Sequence, residues 1–246
     1  MVLEQLSPTD ALYFTVVTVA TVGYGDITPA TFAGKALATV LIIAGVASFS
    51  GFIVNGTQLL LERRQEHRRI ERLNMLISLF FTEMGTHFLN LLVSLDPGVD
   101  NFRSEVSIDS GWDDDKFIRL TTQLKNYSFR IEPRFTDLES LRLYLSQNGA
   151  LLVRLLENPT LTERESFTEL LRATLHFRDE LILRGNLSDS PKADIEHMAN
   201  DARRVYGALT SEWVEYMRYL KKNYPYLFSL ALRTNPFSKN RSPVLT

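Results

Sequence analysis

The sequence predicts an all-helical chain in two parts, one made for a bilayer and one made for water. Three observations carry that class. Charge is segregated: residues 1–61 hold only Glu4, Asp10, Asp26 and Lys35, while residues 62–246 hold the other 52 charged side chains, 26 of each sign. Ala36 to Leu61 is a run of 26 residues without a charge. Beyond it, apolar residues recur at helical spacing and no period-2 stretch argues for strands.

Composition narrows the function classes. The 246 residues carry a net charge of −2 and no cysteine. A disulfide scaffold, a thiolate zinc site and a cysteine nucleophile are thereby excluded. The near-neutral balance argues against a dedicated nucleic-acid binder, which carries a strongly basic face.

The N-terminal elements follow in order. Ser7-Pro8-Thr9-Asp10 reads as a helix start, with Ser7 as N-cap, Pro8 at the first helical position and Asp10 in the first turn. The apolar run 11–20 then covers only ~15 Å as a helix, half a membrane. A backbone cannot end in hydrocarbon with unsatisfied groups, so this end must be buried in protein or line a wet cavity. Ala36 to Leu61 spans ~39 Å as a helix, enough to cross a ~30 Å hydrocarbon core with tilt. The sequence ERRQEHRRIER at 62–72 places five arginines beside its end. The positive-inside rule makes that end cytoplasmic, and the arginines suit anionic headgroups.

The half-membrane helix is followed by Thr21-Val22-Gly23-Tyr24-Gly25-Asp26. The whole of SPTDALYFTVVTVATVGYGDITP and GKALATVLIIAGVASFSGF resembles the pore module of tetrameric potassium channels, over about residues 7–61. The resemblance implies a membrane pore-loop module: a pore helix at about 9–20, a selectivity filter at 21–25 and a pore-lining inner helix at about 33–61. It implies that the carbonyls of Thr21, Val22, Gly23 and Tyr24 coordinate K⁺, with Gly25 completing the filter. Tyr13 and Phe14 match positions that pack around the filter, and a Tyr13–Asp26 hydrogen bond is expected. Gly45 stands where relatives place a gating hinge, and Ser50 near a narrow ring. Val17 replaces a glutamate that some bacterial relatives use in filter inactivation, so that carboxylate pair is absent. No Pro-x-Pro kink occurs in 36–61. Relatives carry an outer helix ahead of the pore helix. Here Met1 to Leu6 alone precede Ser7, and the expectation is a truncated product, a start codon placed too late, or a helix supplied by a partner.

The expected domains are a pore domain at 1–61, an all-helical cytoplasmic domain at 62–232 and a disordered tail at 233–246. Helices are expected at about 66–95, continuing or closely following the inner helix, and at about 113–129, 137–157, 163–184 and 191–221, with a short piece after Pro225 and a loop over 96–111. Thr136 with Glu139, and Thr162 with Glu165, have capping-box spacing. Gly185 suits a C-cap. A second membrane span over the 66–95 helix is disfavoured by Glu83 and His87 within it. No nucleotide fingerprint or cyclic-nucleotide barrel is evident. Asp113-Asp114-Asp115 reads as a solvated helix start in preference to a calcium site. His67, His87, His176 and His197 show no metal-ligand spacing such as i, i+4.

The resulting expectation is a homotetrameric potassium channel subunit, multi-pass in the cell membrane, with K⁺ as permeant ion. No organic cofactor and no catalytic residue is expected. The gating ligand or partner of the cytoplasmic domain is unspecified. The alternative is a helical membrane-anchored interaction protein that keeps a non-conducting remnant of a pore.

Overall fold

The computed structural model describes residues 6–239, 241, 242 and 244, and no strand occurs among them. The chain forms two compact units, Met1–Arg68 and Arg69–Thr246. Met1–Gln5, the side chains of Leu59, Leu60, Arg63, Arg64 and His67, and Asn240, Pro243, Leu245 and Thr246 lie outside the described residues.

In the first unit, helix α1 covers Pro8–Val19 and helix α2 begins at Phe32 and runs to Phe80. The Thr31 hydroxyl accepts from the Gly34 N–H at 3.0 Å and so caps the start of α2. The stretch Phe32–Gln58 has mean hydropathy 2.3, yet its most apolar part is only 11 % buried. Phe32 and Phe52 are 89 % and 77 % exposed. Apolar surface on this scale marks a helix whose surroundings are lipid or protein, not water.

α2 is regular helix across Gly45, and here it touches α1. A Cβ at Gly45 would lie 2.8 Å from the Val19 Cα and 3.0 Å from the Val19 carbonyl oxygen. Those are backbone atoms and cannot swing aside. A Cβ at Gly51 would meet nothing within 4 Å.

In the second unit, one long helix organises the rest. Helix α9, Lys192–Asn223, buries Met198, Ala202, Val205, Leu209, Trp213 and Met217 along one stripe. Against it pack α3 (Thr86–Ser94), α5 (Asp114–Leu124), α8 (Glu165–Leu183) and α10 (Pro225–Arg233), while α6 (Phe135–Gln147) and α7 (Gly149–Leu156) pack on α8; the end of α2 and α4 (Val99–Arg103) complete the same core.

The helix expected at 66–95, continuing or closely following the inner helix, does continue it. Nothing between Glu62 and Phe80 breaks a helix, so α2 continues through the charged run. It ends in a π-helical turn, Phe81–Gly85, that leads into α3. Gly85 fits there because a Cβ would stand 2.5 Å from the Phe80 ring. The turn lets consecutive phenylalanines both reach the core: Phe80 lies edge-on to Phe167 at 5.2 Å, and Phe81 stacks on Tyr216 at 4.8 Å. Widening of a helical turn displaces carbonyls, and the Tyr144 hydroxyl donates to the Met84 carbonyl at 2.8 Å. Burial pushes the Tyr144 pKa up to about 12, which keeps it a neutral donor. Arg68–Ser94 is long and apolar enough to cross a membrane, with mean hydropathy 1.4. Its apolar side chains Phe80, Phe81, Met84, Phe88 and Leu89 are nevertheless fully buried in the helical core.

Other boundaries differ for local reasons. The 96–111 segment contains α4. The helix expected at 137–157 divides at Asn148, where the backbone leaves helical geometry. α6 starts two residues early, with the Asp137 carboxylate accepting from the Arg134 N–H at 2.8 Å, so Thr136 is not its cap. Thr162 falls in a 3₁₀ turn, and α8 starts only at Glu165. The segment expected to be disordered from Arg233 onward is anchored at its start. Phe237 is 2 % exposed, edge-on to Phe102 at 5.8 Å, and the buried Asn235 amide donates to the Val106 carbonyl at 3.3 Å. One aromatic and one amide side chain provide that anchor, which no periodicity reveals.

Two outcomes follow from this packing. Phe88→Ala removes a fully buried ring and costs about 3–5 kcal/mol, read as a lowered denaturation midpoint by circular dichroism. Gly45→Ala drives a methyl into backbone and lowers the thermal stability of the detergent-solubilised protein, whereas Gly51→Ala leaves it unchanged or raises it. Equal effects at the two positions contradict the close approach of α1 and α2.

Candidate functional site

The candidate site is the turn that follows α1. Ser7 caps the helix, its hydroxyl oxygen accepting from the Asp10 N–H at 3.1 Å, and Pro8 takes the first position, where no N–H is needed. The other end is closed by the chain that leaves it. The N–H of Ala20 donates to the Val16 carbonyl at 2.8 Å and that of Thr21 to the Thr18 carbonyl at 3.0 Å. The amides of Val22 and Gly23 both donate to the Val17 carbonyl, at 3.0 and 3.3 Å. The carbonyls orphaned at a helix C-terminus are therefore used to hold the next four residues.

The backbone beyond is unusual. Thr21, Gly23 and Gly25 have φ of 62°, 56° and 79°, and Val22 and Tyr24 between them do not have positive φ. In an extended strand successive carbonyls point to opposite sides. Alternation in the sign of φ turns every second peptide plane over and allows consecutive carbonyls to share a side. Glycine takes positive φ freely. A β-branched threonine does not, and the conformation costs about 1–2 kcal/mol. Such strain concentrates at functional sites. A Cβ on Gly23 or Gly25 would meet no atom within 4 Å, so the requirement for glycine comes from the backbone angle and not from crowding within the chain.

The surroundings are built from α1 and α2. The Tyr13 side chain, from the middle of α1, approaches Asp26 at the far end of the turn. A cavity of about 390 Å³ lies between α1, the turn and α2, lined by Tyr13, Val17, Thr21, Tyr24, Asp26 and Ile42 among others. Phe14 faces a second space of about 110 Å³, with Ile27, Pro29, Leu37 and Ala38. Val22 and Tyr24 remain 53 % and 72 % exposed in the single chain. Gly45 lies at the α1–α2 contact described above, against Val19 at the end of α1.

In the helical unit, Asp113 is the N-cap of α5, accepting from the Lys116 N–H at 2.8 Å, and Asp114 pairs with Arg218 at 3.2 Å. The acidic run thus begins a helix, as expected. Sequence spacing missed one constellation. His176 and Glu180 on α8 meet His197 and Asp201 on α9. Asp201 Oδ2 is buried and lies 3.7 Å and 3.5 Å from the two imidazole Nε2 atoms. The signal was a histidine four residues before a carboxylate on each helix, not histidine to histidine. Arg184 ties the same region together by pairing with both Glu180 and Asp194, and hydrogen bonds from its guanidinium hold both carboxyls below their usual range.

Comparison with known proteins agrees with this division. Residues 1–62 match the ion channel family, and residues 69–233 match the family described as "Uncharacterized protein MJ1433, C-terminal helical domain". The uncharacterized protein MJ1433 of Methanocaldococcus jannaschii is 41 % identical over 186 residues, which cover 76 % of this chain and 74 % of that one. Two pore potassium channel b of Oryza sativa subsp. japonica is 48 % identical over 56 residues, 23 % of this chain and 16 % of the channel. Probable potassium channel protein 2 of Methanocaldococcus jannaschii is 47 % identical over 45 residues, 18 % of this chain and 13 % of that protein. The chain therefore spans only a small part of either potassium channel. No solved structure matches it. By the match over 69–233 and the identity to that protein, the chain belongs to the MJ1433 family.

Proposed function

We propose that the chain is one subunit of a homotetrameric, K⁺-selective channel, with Thr21–Gly25 as the selectivity filter. The observation that carries this reading is the alternation of φ sign over 21–25 on a turn fastened to the C-terminus of a half-membrane helix. A dehydrating cation needs oxygen ligands in place of water, and carbonyls sharing one side of a strand supply them. One chain offers a quarter of such a cage, so four copies around an axis complete it. Thr21, Val22, Gly23 and Tyr24 would give the carbonyl oxygens, and the Thr21 hydroxyl further oxygens at the inner mouth. The C-terminal, partially negative end of α1 favours a cation beside it.

Supporting residues take defined parts in this reading. Tyr13 and Asp26 brace the outer end of the filter, and Phe14 packs behind it. Val22 and Tyr24, exposed in the single chain, would be covered by neighbouring copies. α2 would line the inner pore, its apolar face against lipid and its arginine-rich continuation on the cytoplasmic side. Gating would be a change in α2 near Gly45, driven by the helical domain, which is joined to it by the same helix. The direction of flux follows the electrochemical gradient, and no residue acts as a catalyst.

The test is ion flux into liposomes holding the protein in the full form that its gene encodes. K⁺ uptake well above Na⁺ uptake is expected, and Gly23→Ala and Tyr24→Ala each abolish the preference while the helical domain keeps its circular dichroism. An unchanged K⁺ over Na⁺ preference in either variant would falsify the filter assignment.

A further inference from the structure

The helical unit contains a basic cleft that none of the preceding chemistry uses. It lies between α9 and the extended segment joining α5 to α6, and has a volume of about 740 Å³. Volumes of this order hold small organic ligands. Its lining includes Lys125, Arg130, Arg203 and Arg204, against a single carboxylate, Glu132. The region from Glu62 onward has equal numbers of acidic and basic residues. A local excess of three positive charges is thus a departure from the surface around it. Concave walls focus that field and raise the local concentration of anions.

The walls are rigid. Phe129 and Ile131 point into the core, at 6 % and 3 % exposure, and leave Ser128 and Arg130 on the outer side. Phe129 lies edge-on to Tyr206 at 4.6 Å, and a Cβ at Gly207 would stand only 3.2 Å from its ring. Glycine at that point lets the segment lie against α9. Tyr127 stacks on Phe102 at 4.3 Å, and the Glu132 N–H donates to the Leu95 carbonyl at 3.1 Å. The cationic groups thus sit on a fixed frame, which lowers the ordering cost of binding.

The cations are weakly committed to the protein. Lys125 and Arg130 make no salt bridge among the described residues, although Arg130 feels the field of the buried Asp96. Arg203 donates to the neutral Asn200 amide oxygen at 2.7 Å, and Arg204 reaches Asp201 only at 3.8 Å. Guanidinium pairs are suited to bidentate contact with phosphate oxygens.

We infer that this cleft, between the 125–132 segment and Arg203–Ser211 of α9, binds a soluble small molecule bearing phosphate or pyrophosphate groups. That such a ligand regulates ion flow rests on the channel reading above, but its binding does not.

Binding is therefore measured without flux, by calorimetry on the full chain in detergent, with ATP and sodium pyrophosphate as probes. Saturable binding that weakens with salt is expected. Arg203→Glu with Arg204→Glu reduces affinity about 10-fold or more, in line with the loss of charged hydrogen bonds. Arg119→Glu, an exposed arginine of α5 outside the cleft, changes it less than about 2-fold. Should the double arginine variant fail to fold, Lys125→Ala with Arg130→Ala gives the same loss from two exposed positions. Absence of saturable binding to both probes overturns the proposal, as does an equal loss in Arg119→Glu. Binding to anionic-lipid vesicles but to neither soluble probe also overturns it and assigns the cleft to headgroups.

Discussion

The N-terminal unit depends on one set of hydrogen bonds, the amides of residues 20–23 returned to the last carbonyls of α1. A helix of 12 residues cannot cross a bilayer, and its end cannot be left bare in hydrocarbon. Closing that end with the following chain solves the problem and fixes the conformation of the turn. Val17 accepts from both Val22 and Gly23, so the turn begins at a set position. The positive φ at Thr21 is the local cost of that closure, and the glycines at 23 and 25 let the alternation continue without adding to it.

Nearby, α2 passes the end of α1 at backbone distance, and only glycine at position 45 permits it. This gives Gly45 a packing role that exists whether or not the helix bends there. The length of α2 has a different origin. Its first half is apolar and its second half is charged, but charge alone does not end a helix. The chain stays helical until Phe80 and Phe81 enter the core of the second unit.

Much of this was legible in residue order. Ser7-Pro8 set the start of α1, Asp113 the start of α5 and the absence of charge from 36 to 61 the membrane character of α2. The helical class of the second unit followed from its apolar spacing. What escaped was tertiary. The π turn at Phe81–Gly85 exists because two neighbouring rings are both wanted in the core. Phe237 anchors a segment with no pattern of its own. The meeting of His176, Glu180, His197 and Asp201 depends on α8 and α9 packing side by side, and the cleft beside Arg203 on an extended segment that joins no sheet. At the turn, the motif announced glycine at 23 and 25, but left-handed threonine at 21 emerged only from the backbone.

The central claim is that the carbonyls of residues 21–24 face a common axis and hold K⁺ there. The most direct measurement is an electron-microscopy map of the protein in lipid nanodiscs, recorded once in K⁺ and once in Na⁺. The account predicts four copies around one axis, with a column of density between the carbonyl rings in K⁺ that is lost or rearranged in Na⁺. A particle without fourfold symmetry, or a fourfold axis on which these carbonyls turn away and no ion density appears in K⁺, would contradict it.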